Sequence, residues 1–288
     1  MQSSDSCDFD EHSIAEAEKE ILAVGTSAAV YALDEARVLK KHPSANEAFQ
    51  REKRIYDRLG QHDNIARLFG TTSTGLVLER GECLRKVLLQ RKESRKSDSE
   101  MILNLIWAIQ AAEGLLHIHS RGVIHADVGP HNLILVDSKR QIKWVDFEGS
   151  GIDDEPATAS YDIHYWRPTE GDDASVNTDI FAFGCLLFEI EQGFPPYSDV
   201  FGDLPLHERV MQIERLYSQG QYPDISGLFF GQVILGCWTL RFQDMAQVLV
   251  ALRGLSSQSL WATIVGSVWE RMVAMISTTI SSFRISLR

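Results

Sequence analysis

Apolar and polar residues follow a period near two through the first part of the chain and a helical period through most of the rest. Ile21 to Gly25, Ala28 to Leu33 and Arg37 to Lys41 read as strands, with the turn residues Gly25-Thr26-Ser27 and Asp34-Glu35 between them. Ser44 to Glu47 has the spacing of a capping box, which opens a helix to about Leu59 through Phe49, Glu52, Ile55 and Tyr56. Two more strands follow near Ile65 to Phe69 and Leu76 to Leu78. These segments predict a small antiparallel sheet with one helix packed on it.

From about Leu84 the period changes. A second capping box, Ser97 to Glu100, precedes a long helix to near Gly122, whose apolar face runs through Ile102, Leu105, Ile106, Ile109, Ala112 and Leu116. Leu133 to Val136 and Ile142 to Val145 flank a polar turn and predict a β-hairpin. Helices are then expected at about Asn177 to Glu191, Leu206 to Gln219, Leu228 to Trp238 and Asp244 to Leu255. The order is a β-rich part followed by a helical part, without an internal repeat.

At 288 residues the chain has room for two domains or one large bilobal one. Its net charge of −12 removes the usual electrostatic drive for nonspecific nucleic-acid binding, so no nucleic-acid partner is expected. Residues 1–20 carry seven acids against Lys19 and read as a solvated, disordered tail. The run Arg85, Lys86, Arg91, Lys92, Arg95, Lys96 lacks aromatic interleaving and reads as a solvated face. Cys7, Cys83, Cys185 and Cys237 form no C-x-x-C pair, so neither a disulfide framework nor a zinc site is encoded. His117, His119, His125 and His131 cluster in sequence, but two helical residues two apart face different ways. No apolar run reaches the length of a membrane span, and the start lacks a basic-then-apolar leader; an intracellular, cytoplasmic location is expected. Residues 256–288 form an extension in which Leu260, Trp261, Ile264 and Val268 have the spacing of an amphipathic helix.

The stretch V-I-H-A-D-V-G-P-H-N holds His125, Asp127 and Asn132, and Asp146 follows in W-V-D-F-E-G. A loop Asp, an Asn five residues on and a second Asp at the end of the next hairpin bring one base and two oxygen ligands to one point. Phosphoryl transfer needs that set: a group to orient the nucleophile, and oxygens for a cation that neutralises phosphate charge. The spacing resembles the protein-kinase superfamily, with its H-R-D-x-x-x-x-N loop and D-F-G metal motif. Within that superfamily the chain is most similar to divergent fungal protein-kinase-like sequences.

The resemblance implies a bilobal α+β fold, with a β-rich lobe over about 21–80 and a helical lobe over about 84–255. It implies Asp127 as base, Asn132 and Asp146 on Mg²⁺, and ATP as the phosphoryl donor to a protein hydroxyl. Lys40 in R-V-L-K-K matches the family's strand lysine and Glu52 its helical partner, together holding the phosphates, with Lys41 as the rival lysine. Gly25, Val30 and Val38 would enclose the nucleotide, Leu78 would be the gatekeeper, and Glu79 to Gly81 the hinge that accepts adenine. Asp179, opening T-D-I-F-A-F-G, would hold the catalytic-loop backbone, while Pro168 and Glu170 stand where the family has A-P-E.

Departures accompany the match. Only Gly25 survives of three loop glycines, Ala126 replaces the loop Arg, Gly129 the Lys that steadies the γ-phosphate, and Glu148 the glycine of D-F-G. A weak or inactive pseudokinase module is therefore one alternative. D-F-E with H-A-D-x-x-x-x-N also resembles the aminoglycoside and choline phosphotransferases, a second alternative. Between Glu148 and Asp173 stand eight acids and only Arg167 as a base. A phosphate added to Thr158, Ser160 or Tyr161 would meet like charge there, so activity independent of such phosphorylation and a preference for basic acceptors are expected. The oligomeric state is open.

Overall fold

The computed structural model describes residues 20–91, 98–138, 140–168 and 174–255. Residues 1–19 of the acidic tail, Ser97, Glu170 and the extension from residue 256 lie outside them.

The first lobe is a five-stranded antiparallel sheet ordered β1-β2-β3-β5-β4, from β1 (Ile21–Val24), β2 (Ala29–Ala32), β3 (Arg37–Lys41), β4 (Leu68–Thr71) and β5 (Gly75–Glu79). Strand β3 lies between β2 and β5, pairing Lys40 with Val30 on one side and Leu76 on the other. Helix α1 (Glu47–Leu59) buries Phe49, Ile55, Tyr56 and Leu59 together with the charged Arg51 and Glu52. Its N-cap is Asn46, whose side chain accepts from Phe49 N at 3.0 Å, and not Ser44. The expected capping box fails because Glu47 is the first helical residue and its carboxylate turns to Arg51, 3.2 Å away.

Strand β4 starts three residues later than the pattern suggests. Ile65, buried, forms an isolated parallel bridge with Trp144 and so belongs to the packing beneath the sheet. A short strand β6 (Glu82–Cys83) and helix α2 (Leu84–Arg91) lead into the second lobe.

There α3 (Asp98–Ser120), α4 (Val176–Gln192), α6 (Leu206–Ser218), α7 (Gly231–Trp238) and α8 (Met245–Leu255) form the helical body, with a short α5 (Ser198–Phe201). Ser175 and Thr178 make the capping box of α4, and nearly all of that helix is buried. Helix α7 crosses it at Gly184, where a Cβ would stand 2.8 Å from Cys237 Cβ and 3.0 Å from Trp238 Cδ1. Close packing thus requires glycine there. Helix α7 begins later than the pattern suggests because Glu191 takes the Phe229 and Phe230 amides at 2.6 and 3.0 Å, holding that segment as a turn. By length and hydropathy Ser99–Ser120 passes for a membrane span, but half of it is buried in this core, including Trp107, Ala111 and Leu115.

The second lobe also carries β7 (Val123–Ile124), β8 (Leu133–Val136), β9 (Gln141–Trp144) and β10 (Gly151–Ile152). The expected hairpin is β8 with β9, in register Leu133 to Trp144 through Val136 to Gln141. Strand β7 pairs β10, so the loops after β7 and β9 meet.

Candidate active site

Lys40 and Lys41 are consecutive on β3 and so face opposite sides of the sheet. Lys40 is the inward one, 7% exposed, with Nζ 2.8 Å from Glu52 Oε2, 2.6 Å from Asp146 Oδ1 and 2.9 Å from Glu148 Oε2. Burial alone would push its ammonium down, but Glu52, Asp146 and Glu148 hold it well above the ordinary lysine value. Asp146 is raised by burial, then brought below the usual carboxylate range by Lys40. Glu52 also accepts from Phe147 N at 3.2 Å, so α1, β3 and the loop after β9 converge on one cation.

His42 Nε2 comes within 3.6 Å of Glu52 Oε2 and 4.0 Å of Glu148 Oε2, a grouping that resembles a metal cage. Lys40 already sits on both of those carboxylate oxygens. The cation of this cluster is the lysine. The other histidines in the expected sequence cluster have separate partners, His117 on Leu59 O, His119 on Asp179, His125 on Val145 O and His131 on Asp127, and do not converge.

The loop after β7 is held by Asp179 at the start of α4. Its oxygens accept from His125 N at 2.9 Å, Ala126 N at 3.0 Å and Tyr161 OH at 2.7 Å, and His119 Nε2 lies 2.8 Å away. Ala126 has φ 65°, a left-handed conformation that costs a non-glycine residue about 1 kcal/mol or more and persists because those bonds determine it. Burial pushes the Asp179 carboxyl up, but the His119 bond and its neighbours bring it below the ordinary range. Burial lowers His125, and its Nε2 lies 3.3 Å from Val145 O.

Asn132 ends the short 3₁₀ turn Pro130–Asn132 and gives its Nδ2 to both Asp127 O and Asp127 Oδ2 at 2.8 Å. That leaves the Asn132 carbonyl oxygen for a cation. With Asp146 it makes a hard oxygen set, which suits a divalent metal. Asp146 has φ 69°, so its backbone turns sharply just beyond the hairpin.

Next to these groups a cleft of about 270 Å³ is lined by Val30, Val38, Lys40, Leu78, Glu79, Gly81, Asn132 and Asp146, all anticipated, and by Leu22, Cys83 and His131, which were not. Gly25 is not a lining residue; it closes the β1 to β2 turn through its N–H to Ala28 O at 2.8 Å. Ser27 of that turn donates to Glu148. Glu148 thereby joins the turn to Lys40, and its place in D-F-E was the sequence signal for it. His119 and Tyr161, both on Asp179, left no such signal, because only folding brings them to α4.

The acidic segment after Asp146 is better neutralised than its sequence suggests. Arg54 makes two bonds to Glu155 at 2.9 and 2.7 Å, and Arg58 two to Asp153 at 2.9 and 2.8 Å. Arg51 donates to Pro156 O at 2.7 Å and Ser150 O at 3.2 Å, and Arg85 comes within 3.7 Å of Asp162. The argument from uncompensated like charge therefore fails. Residues 51, 54 and 58 form one stripe of α1, the helix that carries Glu52.

A family model for the protein kinase domain matches residues 21–235. An Aurora kinase of Patiria pectinifera is 30% identical over 176 residues, covering 57% of this chain and 42% of its own length. The serine/threonine-protein kinase chk-2 of Caenorhabditis elegans is 29% identical over 138 residues, covering 46% and 29%. An Aurora kinase of Schizosaccharomyces pombe is 29% identical over 220 residues, covering 68% and 59%. The chain thus spans between 29% and 59% of the length of these relatives.

Proposed function

This chain belongs to the protein kinase domain family, and from that premise we propose that it transfers the γ-phosphate of ATP to a serine or threonine hydroxyl of a protein. The observation that carries the reading is that Lys40, Asn132 and Asp146 line one cleft, with Glu52 and Asp146 on Lys40 and Asp127 bonded to Asn132. The apolar walls from Val30, Val38 and Leu78 take the base, and Lys40 takes phosphate oxygens while Glu52 keeps it aimed. Asp127, braced by Asn132, orients the acceptor hydroxyl and receives its proton. Asn132 and Asp146 would hold Mg²⁺, whose charge offsets that of the phosphates when it is bound. The names of the relatives support a serine or threonine acceptor.

Glu148 favours the pseudokinase reading as the second one, because its carboxylate stands on Lys40 where a phosphate oxygen would compete. One assay separates the two: γ-phosphate transfer with Mg²⁺ to a basic and an acidic protein, beside Asp127→Asn. Transfer that vanishes in the variant supports the kinase. Mg·ATP binding with no transfer to either acceptor supports the pseudokinase, and in a parallel arm with amino alcohols and aminoglycosides as acceptors, transfer to those alone overturns both.

A further inference from the structure

Each oxygen of the Asp127 carboxylate has a polar neighbour, one bonded to it and one in close approach. Oδ2 accepts from Asn132 Nδ2 at 2.8 Å, and Oδ1 lies 3.1 Å from His131 Nε2. The imidazole reaches that oxygen because residue 129 has no side chain: a Cβ on Gly129 would stand 2.5 Å from His131 Cε1 and 2.7 Å from His131 Nδ1. Pro130 opens the 3₁₀ turn, whose bond from Asn132 N to Gly129 O at 3.1 Å fixes the backbone that carries His131. The ring also lines the cleft, and its Nδ1 is buried with no partner among the described residues. Gly129 and His131 thus form a matched pair that no sequence feature announced.

We propose that His131 is a positioning residue for Asp127: its Nε2–H donates to Oδ1, and Gly129 supplies the space that lets it do so. With Asn132 on the other oxygen, the carboxylate plane is held at two points facing the cleft. One donor would leave the carboxyl free to rotate about its χ2, which is a broad torsion. A nucleophile aligned by such a group loses rate steeply with small displacements, about 10²-fold for roughly 1 Å. The inference rests on the phosphotransferase reading for its effect on rate, but its geometry is readable without turnover.

The test uses the full chain. His131→Ala should lower kcat by about 10- to 100-fold while the KM for ATP stays within about twofold. His131→Gln, whose amide nitrogen extends to about where Nε2 lies, should restore most of the loss. His131→Asn, whose nitrogen falls near Nδ1, should not. Gly129→Ala should resemble His131→Ala, and the double variant should be no slower than either, as for two residues acting through one contact. Full activity in His131→Ala, equal rescue by Asn and Gln, or multiplying losses would each overturn the proposal. Imidazole ¹⁵N spectra give a readout that needs no catalysis: an Nε2–H tautomer for His131, perturbed in Asp127→Asn and in Gly129→Ala. An Nδ1–H tautomer overturns the assignment even in an inactive protein. Absent transfer with the Nε2–H tautomer present rejects the kinase reading alone.

Discussion

Replacing Lys40 with Met removes the one cation shared by three carboxylates, and the structure sets the size of the effect. Lys40 is 7% exposed and Glu52 is fully buried, so its loss strands a charge that water cannot reach. Breaking a buried pair from one side costs about 3–5 kcal/mol. Asp146 and Glu148 keep 42% and 21% side-chain exposure and can hydrate, which favours the low end, about 3 kcal/mol. A domain of this size shifts its Tm by about 2–4 °C per kcal/mol, so thermal unfolding should fall by about 6–12 °C. Lys41→Met, on a half-buried position, should cost about 1 kcal/mol or less, hence no more than about 4 °C. Turnover should fall at least about 10²-fold for Lys40 and far less for Lys41. The sign of the pH dependence follows from Asp146. With Lys40 present its folded pKa is depressed, so it stabilises above its unfolded pKa and loses this as pH falls. Lys40→Met removes the partner that supplies this stabilisation. The Tm deficit of Lys40→Met should therefore be full at neutral pH and shrink as pH falls below about 4, where the parent loses the same stabilisation. Equal losses at the two lysines, or a deficit that grows on acidification, would refute the assigned register.

Asp146→Ala should abolish Mg-dependent ATP retention in isothermal titration with the fold intact by circular dichroism; unchanged affinity rejects its metal role. Asp179→Asn leaves donors from His125 N, Ala126 N and Tyr161 without a carboxylate and should cost about 3–5 kcal/mol by chemical denaturation. Because the folded pKa of Asp179 is depressed, its contribution is complete above its unfolded pKa and is lost as pH falls through the folded one, so the parent should lose more stability below about pH 4 than the variant. The stripe of Arg51, Arg54 and Arg58 ties α1 to the segment after Asp146 without any phosphate, so phosphatase treatment and a Thr158→Ala/Ser160→Ala variant should leave the rate unchanged. A large drop in either would show that a phosphate orders the segment. Tyr161→Phe is a different case, since its hydroxyl is bonded to Asp179, and it should lower Tm by a few degrees at an approximate cost of about 1 kcal/mol.

Local pattern and spacing determined a great deal by themselves. Strand and helix periods are written in which positions are apolar, so β2, β3, the β8 to β9 hairpin, α4 and α6 came within a residue or two of where they lie. The Asp127, Asn132 and Asp146 spacing marked the cleft, because a loop and a short hairpin carry a constant number of residues between fixed points. Alternation along β3 cannot by itself separate Lys40 from Lys41; the family match pointed to Lys40, and in the fold it is Lys40 that lies buried. Caps shifted for a related reason: Asn46 and Ser44 are both good N-caps, and the winner depends on what Glu47 meets in space. Charge counts along the chain misjudged the acidic segment, since Arg51, Arg54 and Arg58 lie about a hundred residues away from the groups they bind. Glu148 on Lys40, Tyr161 and His119 on Asp179, and the imidazole of His131 lying over Gly129 were decided by tertiary structure alone. Interactions of that kind depend on distances in three dimensions at sub-ångström scale, and a one-dimensional pattern records the residue types but not where packing brings them.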